Sequence, residues 1–543
     1  MAALPAEQVL AGQPASAGQV FGPLAIWRQP ELCERQAGSP PEERTALQAA
    51  IAKSIAEIGQ LATTTDGPGA DMLEFQSAML EDQELRAPAL AAIAQGEAAG
   101  RAWSAAVGTQ IAQWQAAPDE YFRARTSDLA DLRDRVLRHL TGGGAGTTIV
   151  APGSIIAAED FTPSQFLETD WSRGGGLVLA SGSPSSHVAM LARSRGIPMV
   201  VGLGGLPLAG HSHAIVDGDL GRILLSPALA ARRECQQATA RAELRRQHAQ
   251  AALSRPAASA DGTPITMLIN ISGPDDLAGI DAATCDGIGL FRTELMFRDG
   301  AALPDENAQY HAYRRCLDWA GGKPVTIRAL DIGGDKPIRG LTPVGESNPF
   351  LGSRGIRLLL ARPDVFGVQL RALARAALHG NLKIMLPMIS VPAELTAAGR
   401  LLDDVVAGLA REGIACRRPP LGIMIEVPAA ALMAATFTEA AFFSIGSNDL
   451  TQYVMAASRD TSAVAALGQG APPAVLKLMT LTVAGARELG IEVSLCGDMA
   501  GDAKLLGKLL ATGLRALSVA PPLLGQIKHE LAAMSLRGGD GQP

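Results

Sequence analysis

The sequence predicts an α/β protein of several domains: a small α/β domain interrupted by an inserted helical bundle, then a linker helix and a C-terminal (β/α)8 barrel. Three observations indicate this architecture. Strand-like and helix-like runs alternate from about residue 262 onward, a long N-terminal stretch has helical periodicity with almost no strand signal, and a polar, alanine-rich segment separates these two regions. At 543 residues, the chain is long enough for several domains.

The small α/β domain is predicted from two separated parts of the chain, residues 1–27 and 144–227. Residues 11–27 have the pattern of a strand-bearing segment, and the second part contains short apolar runs: "TIVAPGSIIA", "GLVLAS", "IPMVVGLG" and "HAIVDGDLGRILLSP". Residues 28–143 instead show helical periodicity, as in "DMLEFQSAMLEDQEL" and "SDLADLRDRVLRHL", and end in the glycine-rich "TGGGAGTT". The helical bundle is therefore predicted to be an insertion into the α/β domain.

Residues 228–255 are predicted to form a helix that separates the domains. Their apolar stripe is thin, so a helix packed in a bundle is the weaker interpretation. Residues 256–543 then contain eight strand-like runs, the number that a (β/α)8 barrel requires. The runs are "ITMLINIS", "GIGLFRTELMF", "PVTIRALDIGG", "LKIMLPMIS", "LGIMIEVPAA", "AFFSIGSNDL", "IEVSLCGDM" and "LRALSVAPP".

Composition and charge argue against several classes of protein. The net charge is −7 and no block of basic residues stands out, so we expect neither a nucleic-acid partner nor an anionic membrane surface. No uninterrupted apolar run is long enough to be inserted in a membrane, and the N-terminus lacks the pattern of a secretion signal. The six cysteines are scattered without a CxxC pair, as expected for reduced thiols in a cytoplasmic protein.

A single histidine, His187, stands in "SGSPSSHVAMLARSRGIPMVV", between a run of small residues and a short predicted helix. Ser185 or Ser186 could cap that helix, which would place His187 in or beside its first turn. Free backbone N–H groups and the positive end of the helix dipole favour an anion at that position. His187 could therefore carry a phosphoryl group, although a lone histidine at a helix start is more often an ordinary surface residue.

Polar residues follow the predicted barrel strands, at the ends where (β/α)8 barrels carry their active sites. They are Arg292, Glu294, Arg328, Asp331, Glu426, Asn448, Asp449 and Cys496. Arg292, Arg328 and Arg459 suit an anionic ligand, because guanidinium groups pair with phosphate and carboxylate. Arg354 is a further candidate, and any one of these arginines taken alone could be an ordinary surface ion pair.

The remaining rim residues suggest individual roles. Glu426 and Asp449 are hard oxygen ligands, which together with ligand oxygens and water would form a Mg²⁺ site. Asn448 could donate its amide to the ligand. Cys496 by itself would more often be a buried core thiol, but at the rim it is a candidate proton donor because thiols are mostly protonated at neutral pH. The sequence thus predicts a phosphate-accepting histidine and an anion site on separate domains.

These segments together resemble one family over nearly the whole chain. "SSHVAMLARSRGIPMVVG" is similar to the phosphohistidine segment of enzyme I of the bacterial phosphotransferase system, the phosphoenolpyruvate–protein phosphotransferases. The barrel motifs of that family have counterparts here in the same order: "DGIGLFRTELMF", "RALDIGGDK", "NPFLGSRGIR", "LPMIS", "GIMIEVPAA", "FFSIGSNDLTQY" and "SLCGDMAGD". The combination is far more specific than any one of these motifs.

The resemblance implies that a phosphoryl group passes from phosphoenolpyruvate to His187, on a swivelling domain, and then to a histidine of the carrier protein HPr. HPr would dock on the helical domain, and the pathway would serve sugar uptake or a regulatory branch. The residues implied to hold phosphoenolpyruvate are Arg292, Arg328, Asn448, Asp449 and Arg459. Glu426 and Asp449 would hold Mg²⁺, and Cys496 would protonate the enolate to give pyruvate. The resemblance also implies a homodimer formed through the barrel.

Some positions depart from the family pattern. "GSPSSH" lacks the arginine of the usual GGRTSH, Gln76 replaces a frequent histidine, Ser353 replaces a common aromatic residue, and "AALGQGAPPAV" lacks the usual tyrosine and His-Pro. These departures could alter the partner, the rate or the dimer contact.

Two alternative functions stay open at this point. The pyruvate,phosphate dikinase and phosphoenolpyruvate synthase group shares the mobile histidine and the barrel, but it needs a large nucleotide-binding domain. The helical segment here is too small for that domain and has no glycine-rich nucleotide loop. The other alternative is a non-catalytic protein that only senses phosphoenolpyruvate or binds a carrier, against which the intact His187 and Cys496 argue.

Overall fold

The computed structural model describes residues 7–27, 37–63, 68–116, 126–141, 150–297, 305–334, 338, 341–342, 345–458 and 461–536. The chain divides into two compact units, Met1–Glu243 and Leu244–Pro543. Within the described ranges, no helix is both long enough and apolar enough to cross a membrane.

The first unit contains an eight-stranded sheet with the strand order β1-β8-β7-β3-β4-β5-β6-β2. Strands β3 to β6 pair in parallel, and the remaining neighbours pair antiparallel. The strands are β1 (Gln8–Ala11), β2 (Gln13–Ser16), β3 (Gln19–Ile26), β4 (Ile155–Ala158), β5 (Gly176–Leu179), β6 (Met199–Val201), β7 (His213–Asp217) and β8 (Arg222–Leu225). Each apolar run predicted for this part of the chain contains one or two of these strands.

The chain leaves this sheet after β3 and returns to it at β4, and the helices described between these strands pack around an apolar core that includes Leu47, Trp103 and Leu132. They are α1 (Pro40–Ala62), α2 (Pro68–Glu81), α3 (Gln83–Ala94), α4 (Ala99–Gln115) and α5 (Thr126–Thr141). A capping box between Ser39 and Glu42 starts α1, because it satisfies backbone N–H groups that have no partner inside the helix. We propose that residues 1–27 and 144–227 form the α/β domain and that residues 28–143 form the inserted helical domain.

Three further helices follow within or after the sheet: α6 (Pro163–Glu168), α7 (His187–Arg195) and α8 (Leu229–Leu253). Cys235 is the one buried residue of α8, all of whose residues are described. This agrees with the thin apolar stripe in the sequence, because a helix that buries so little of its surface needs no broad apolar face. We likewise propose residues 228–255 as the linker helix and residues 256–543 as the barrel domain.

The second unit contains a closed barrel of eight parallel strands, as the sequence predicts. The strands are β9 (Thr266–Ile271), β10 (Ile288–Phe291), β11 (Pro324–Arg328), β12 (Asn381–Leu386), β13 (Leu421–Ile425), β14 (Phe442–Ile445), β15 (Glu492–Leu495) and β16 (Ala516–Val519). Each of the eight predicted runs overlaps one of them. The strands are mostly buried, which explains why they are nearly continuous apolar segments.

The described helices of the second unit lie between and after the barrel strands in the chain. They are α9 (Glu306–Ala320), α10 (Ile356–Ala361), α11 (Pro363–Ala376), α12 (Pro392–Arg411), α13 (Pro428–Leu432), α14 (Ser447–Met455), α15 (Ser462–Ala465), α16 (Pro473–Leu489), α17 (Leu506–Ala511) and α18 (Leu524–Ala533). Inside the barrel, Leu290, Met385, Met424, Phe442 and Cys496 form a small apolar cluster of their own. Three members of this cluster, Leu290, Met424 and Cys496, also line the candidate active site.

Packing inside the barrel leads to a stability prediction. A Cβ atom at Gly422 would lie 2.4 Å from the nearest atom of the Phe442 ring. Gly422→Ala should therefore destabilise the barrel by about 1–3 kcal/mol through overpacking. Gly59→Ala is the matched control, because Gly59 is exposed on α1 and a Cβ atom there would have no neighbour within 4 Å, so a helical alanine should stabilise by about 0.5–1 kcal/mol. Calorimetry should show opposite shifts of the unfolding temperature for the two variants, and equal shifts would contradict this account.

Candidate active site

His187 is the first residue of α7. Ser186 is the N-cap, and its Oγ accepts a hydrogen bond from the Ala189 N–H at 3.3 Å. The structure thus selects Ser186 over Ser185 as the capping residue. The His187 side chain is 20 % exposed. Because it stands in the first turn, unpaired N–H groups and the positive end of the helix dipole are close to the imidazole.

The loop before His187 is held by a residue from the end of the same helix. Arg193 Nη1 donates hydrogen bonds to the backbone oxygens of Ala15 at 2.7 Å and Pro184 at 2.8 Å. These two bonds tie the serine- and proline-containing loop to the edge strand β2. The family's usual arginine is missing from "GSPSSH", and Arg193 is engaged with backbone oxygens in the described structure.

The partner of the histidine, Asp128, is not among the residues predicted from the sequence. His187 Nδ1 lies 3.0 Å from Oδ1 and 2.9 Å from Oδ2 of Asp128, whose side chain is buried. Asp128 belongs to α5, on a face that also buries Asp131 and Arg135 among leucines. Charged residues at the spacing of an apolar helical face were a signal for buried partners, since charged groups are rarely buried unless they are paired.

At the carboxyl ends of the barrel strands lies a cavity of about 280 Å³. Its lining includes seven of the predicted rim residues, which come from five different strand ends: Arg292, Glu294, Arg328, Glu426, Asn448, Asp449 and Cys496. Ser272 and Asp498 also line it. Arg459 lies outside the described residues. The barrel therefore brings together residues as distant in the sequence as Arg292 and Cys496, as one rim can do.

Buried ion pairs hold several of these groups in place. Arg328 donates a hydrogen bond to the carboxylate of Glu294 through Nη2, and its Nη1 lies 3.2 Å from Asp331 Oδ2. Arg354 forms two hydrogen bonds to Asp331 and two to Asp449, all between 3.1 and 3.2 Å. Burial alone would lower the pKa of both arginines, but the neighbouring carboxylates outweigh it and raise the pKa.

The position of Arg354 bears on its predicted role. Arg354 is fully buried and is not among the residues that line the cavity. Its guanidinium is occupied by the carboxylates of Asp331 and Asp449, so its geometry is that of a support for Asp449. Arg328 and Arg292, in contrast, both line the cavity.

Glu426 and Cys496 titrate abnormally, and burial is the main cause in each case. Burial, followed by the charges of Asp449 and Asp331, raises the pKa of Glu426 to about 8. Burial also raises the pKa of the Cys496 thiol, so the thiol keeps its proton at neutral pH. Its Sγ donates to the backbone oxygen of Ile445 at 3.5 Å.

Asn448 has a partner that the sequence analysis did not identify. Its Nδ2 donates to Asp498 Oδ2 at 2.9 Å, and the Asp498 N–H donates to Asn448 Oδ1 at 3.0 Å. Arg292 Nη2 lies 3.9 Å from the other Asp498 oxygen. The amide predicted to donate to a ligand thus donates to Asp498 in this structure. An acid two residues after Cys496 in "SLCGDM" was the available signal.

Three family models match separate parts of the chain. The model described as the PEP-binding domain of PEP-utilising enzymes matches residues 246–536, the N-terminal model matches 11–125, and the mobile-domain model matches 150–221. The first of these covers more than half of the chain. A phosphoenolpyruvate-protein phosphotransferase of Bacillus sp. (strain S) is 36 % identical over 96 % of this chain and 93 % of its own length.

The chain belongs to the phosphoenolpyruvate-protein phosphotransferase family. As a member it is a phosphotransferase that uses phosphoenolpyruvate. The relative from Geobacillus stearothermophilus is also 36 % identical, over 95 % of this chain and 91 % of its own. A multiphosphoryl transfer protein of Rhodobacter capsulatus is 37 % identical over 90 % of this chain but only 59 % of its own length. Among solved structures, enzyme I (nEIt) covers 43 % of this chain at 24 % identity with a TM-score of 0.36.

One departure from the family pattern has a structural explanation. Gln76 is fully buried, and its Nε2 donates to Asp131 Oδ2 at 3.1 Å. Ser164 from α6 donates to the same oxygen. Gln76 therefore belongs to an internal polar network in the first unit, and any influence on a partner would have to be indirect.

The ion pairs of Arg354 lead to a second stability prediction. Arg354→Met should destabilise the barrel by about 3–5 kcal/mol, because it leaves Asp331 and Asp449 buried without their shared cation. Arg362→Ala is the control: Arg362 pairs with Asp364 at 2.7 Å, but both side chains are exposed and water screens the pair. Thermal unfolding should show a large loss for the first variant and little change for the second. Similar losses in both would argue against the importance of the buried pair.

Proposed function

We propose that this phosphotransferase moves the phosphoryl group of phosphoenolpyruvate to its own His187 and then to a histidine of an HPr-type phosphocarrier, releasing pyruvate. The main support is the cavity at the barrel rim, which combines arginines, two carboxylates and a protonated thiol. These groups match the three needs of the reaction: binding an anion, neutralising phosphoryl charge and protonating a carbon atom. His187, at a helix N-terminus, supplies the acceptor.

The cavity binds phosphoenolpyruvate through cationic and polar groups in this proposal. Arg292 and Arg328 line it and pair with the phosphate and carboxylate oxygens of the substrate. Asn448 and Asp449 complete the contacts, and Arg459 keeps the role that the resemblance implies. Because Arg328 is held by Glu294 and Asp331, its guanidinium needs little reorganisation when the substrate enters.

The carboxylates of the cavity fit a Mg²⁺ ion. Glu426 and Asp449 are both buried; burial first, and then the charge of Asp449, raises the pKa of Glu426, and a divalent cation would stabilise both carboxylates. Among the described residues, no group of three or more His, Cys, Asp or Glu side chains is arranged to hold a metal. A Mg²⁺ ion held by two carboxylates has further coordination positions for substrate oxygens and water, as is common for this ion. Bound there, Mg²⁺ would neutralise phosphoryl charge.

Cys496 acts as the proton donor. When the bridging P–O bond breaks, the electron pair leaves with the enolate oxygen, and the methylene carbon must gain a proton to give pyruvate. The thiol is the acid placed in the cavity for this purpose, because burial keeps it protonated. Leu290 and Met424 pack with Cys496 and line the same cavity, so the thiol lies beside apolar side chains. Solvent restores the proton after pyruvate leaves.

Location and assembly complete the proposal. We place the reaction in the cytoplasm, where thiols stay reduced: the five described cysteines are all free, and four of them are buried. The homodimer through the barrel is kept from the resemblance, and exposed apolar side chains such as Leu432 and Met433 on the barrel unit are compatible with it.

Labelling with phosphoenolpyruvate tests the phosphoryl acceptor. In the presence of Mg²⁺ and without nucleotide, the parent protein should take up one label and release pyruvate, whereas His187→Ala should take up none and still bind phosphoenolpyruvate. The two should differ in this way because the acceptor and the anion site belong to different units. A dikinase-type enzyme would need nucleotide for its full reaction, and a sensor would bind without labelling. Full labelling of His187→Ala would exclude His187 as acceptor.

The role of Cys496 has its own test. Cys496→Ala should bind phosphoenolpyruvate nearly as well as the parent and form pyruvate about 10²–10⁴-fold more slowly, the usual contribution of a positioned general acid. Cys285→Ala is the matched control, since Cys285 is also a buried thiol of the barrel unit but does not line the cavity. Pyruvate formation at the parent rate in Cys496→Ala would return this thiol to a packing role.

A further inference from the structure

We infer that Asp128 is the positioning residue of the phosphoryl acceptor: it holds the proton of His187 on Nδ1 and so leaves the lone pair of Nε2 free to attack phosphorus. The inference rests on the proposed function, because it assumes that His187 is the acceptor. It adds that the nucleophile is oriented by the helical segment that interrupts the sheet, through the contact between α5 and the start of α7.

The contact determines which nitrogen carries the proton. Both oxygens of the Asp128 carboxylate lie at hydrogen-bond distance from Nδ1, at 3.0 Å and 2.9 Å. A carboxylate only accepts hydrogen bonds, so Nδ1 must be the donor. In a neutral imidazole the other nitrogen, Nε2, then carries the lone pair. Within the described part of the chain, the Asp128 contact is the only hydrogen bond of the His187 ring.

Burial makes the contact strong enough to orient the ring. The Asp128 side chain is 1 % exposed, whereas that of His187 is 20 % exposed. The carboxylate is thus shielded from water and the imidazole is partly accessible. A charge-assisted hydrogen bond in such surroundings is stronger than one in water, because little solvent competes for the donor.

Asp128 also matches the charge that develops during transfer. The Nε2 lone pair forms the N–P bond as the bridging P–O bond of phosphoenolpyruvate breaks, and the electron pair leaves with the enolate. The Nδ1 proton stays on the ring, which therefore becomes positively charged. The Asp128 carboxylate beside Nδ1 stabilises this charge, as a buried carboxylate does beside the histidine of a hydrolase triad.

The next acid along α5 provides a matched control. Asp131 is also buried, one helical turn after Asp128, but it accepts hydrogen bonds from Gln76 and Ser164 and does not contact His187. Replacing each aspartate by asparagine removes one buried charge from the same helix face. A general weakening of the helix would affect both variants, whereas loss of orientation would affect the Asp128 variant alone.

The experiment measures single-turnover labelling of the full chain by phosphoenolpyruvate and Mg²⁺, together with the nitrogen NMR shifts of the His187 ring. Asp128→Asn should label about 10–100-fold more slowly, which is the loss typical when the carboxylate that orients a metal-binding histidine is removed. Its KM for phosphoenolpyruvate should not change, and the proton should be shared between Nδ1 and Nε2. Asp131→Asn should keep the parent rate and the Nδ1–H form, and Asp128→Glu should recover part of the rate.

The outcomes separate this inference from the proposed function. Parent labelling rate and an unchanged Nδ1–H form in Asp128→Asn would overturn the inference while leaving His187 as acceptor. Equal slowing in Asp128→Asn and Asp131→Asn with no change of tautomer would also overturn it, since that pattern reports helix stability alone. Labelling of His187→Gln at the parent rate would instead remove the proposed function on which the inference depends.

Discussion

The buried pairing of carboxylates with guanidinium groups at the barrel rim is the constraint on which the candidate site depends. Asp331 stands between Arg328 and Arg354, and Arg354 in turn holds Asp449. Removing any member would leave a charge in a place where water cannot compensate it. The cost of burying these ions is met only when all of them are present, so the network fixes the geometry of the two groups that face the cavity, Arg328 and Asp449.

This network also explains how side chains of opposite charge can line one cavity. The fully enclosed Arg354 supports a carboxylate, whereas Arg292 and Arg328 line the cavity themselves, and Arg328 is held there by Glu294 and Asp331. Burial and the neighbouring carboxylates of Asp449 and Asp331 raise the pKa of Glu426. The cavity lining therefore combines two arginines, Arg292 and Arg328, with the carboxyl groups of Glu426 and Asp449.

The two units hold their polar side chains in position in different ways. In the barrel, polar groups from several strand ends support one another around a cavity. In the first unit, one histidine at a helix start is supported by one carboxylate from a helix that the sequence places far away, and by an arginine that ties down the preceding loop. In both arrangements, hydrogen bonds from residues distant in the sequence fix the orientation of a polar side chain.

The sequence by itself determined the order of the elements along the chain. The periodicity and the turn residues were sufficient for the eight barrel strands, the helical region between β3 and β4 and the exposed helix α8, because each is encoded by local patterns. The rim residues could also be predicted, since active-site groups of a barrel follow its strands directly. His187 and its capping serine were visible in a single short segment.

Tertiary structure alone decided which side chains support which. Asp128 and His187 are 59 positions apart, and Arg354 and Asp449 are 95 apart, so no local spacing announces either pair. The burial of Arg354 behind Asp449, and the contact of Asn448 with Asp498, depend on how strands and loops from distant parts of the chain close on one another. Local patterns specify where a helix or strand begins, whereas the partner of a buried charge is specified by the packing of the whole unit.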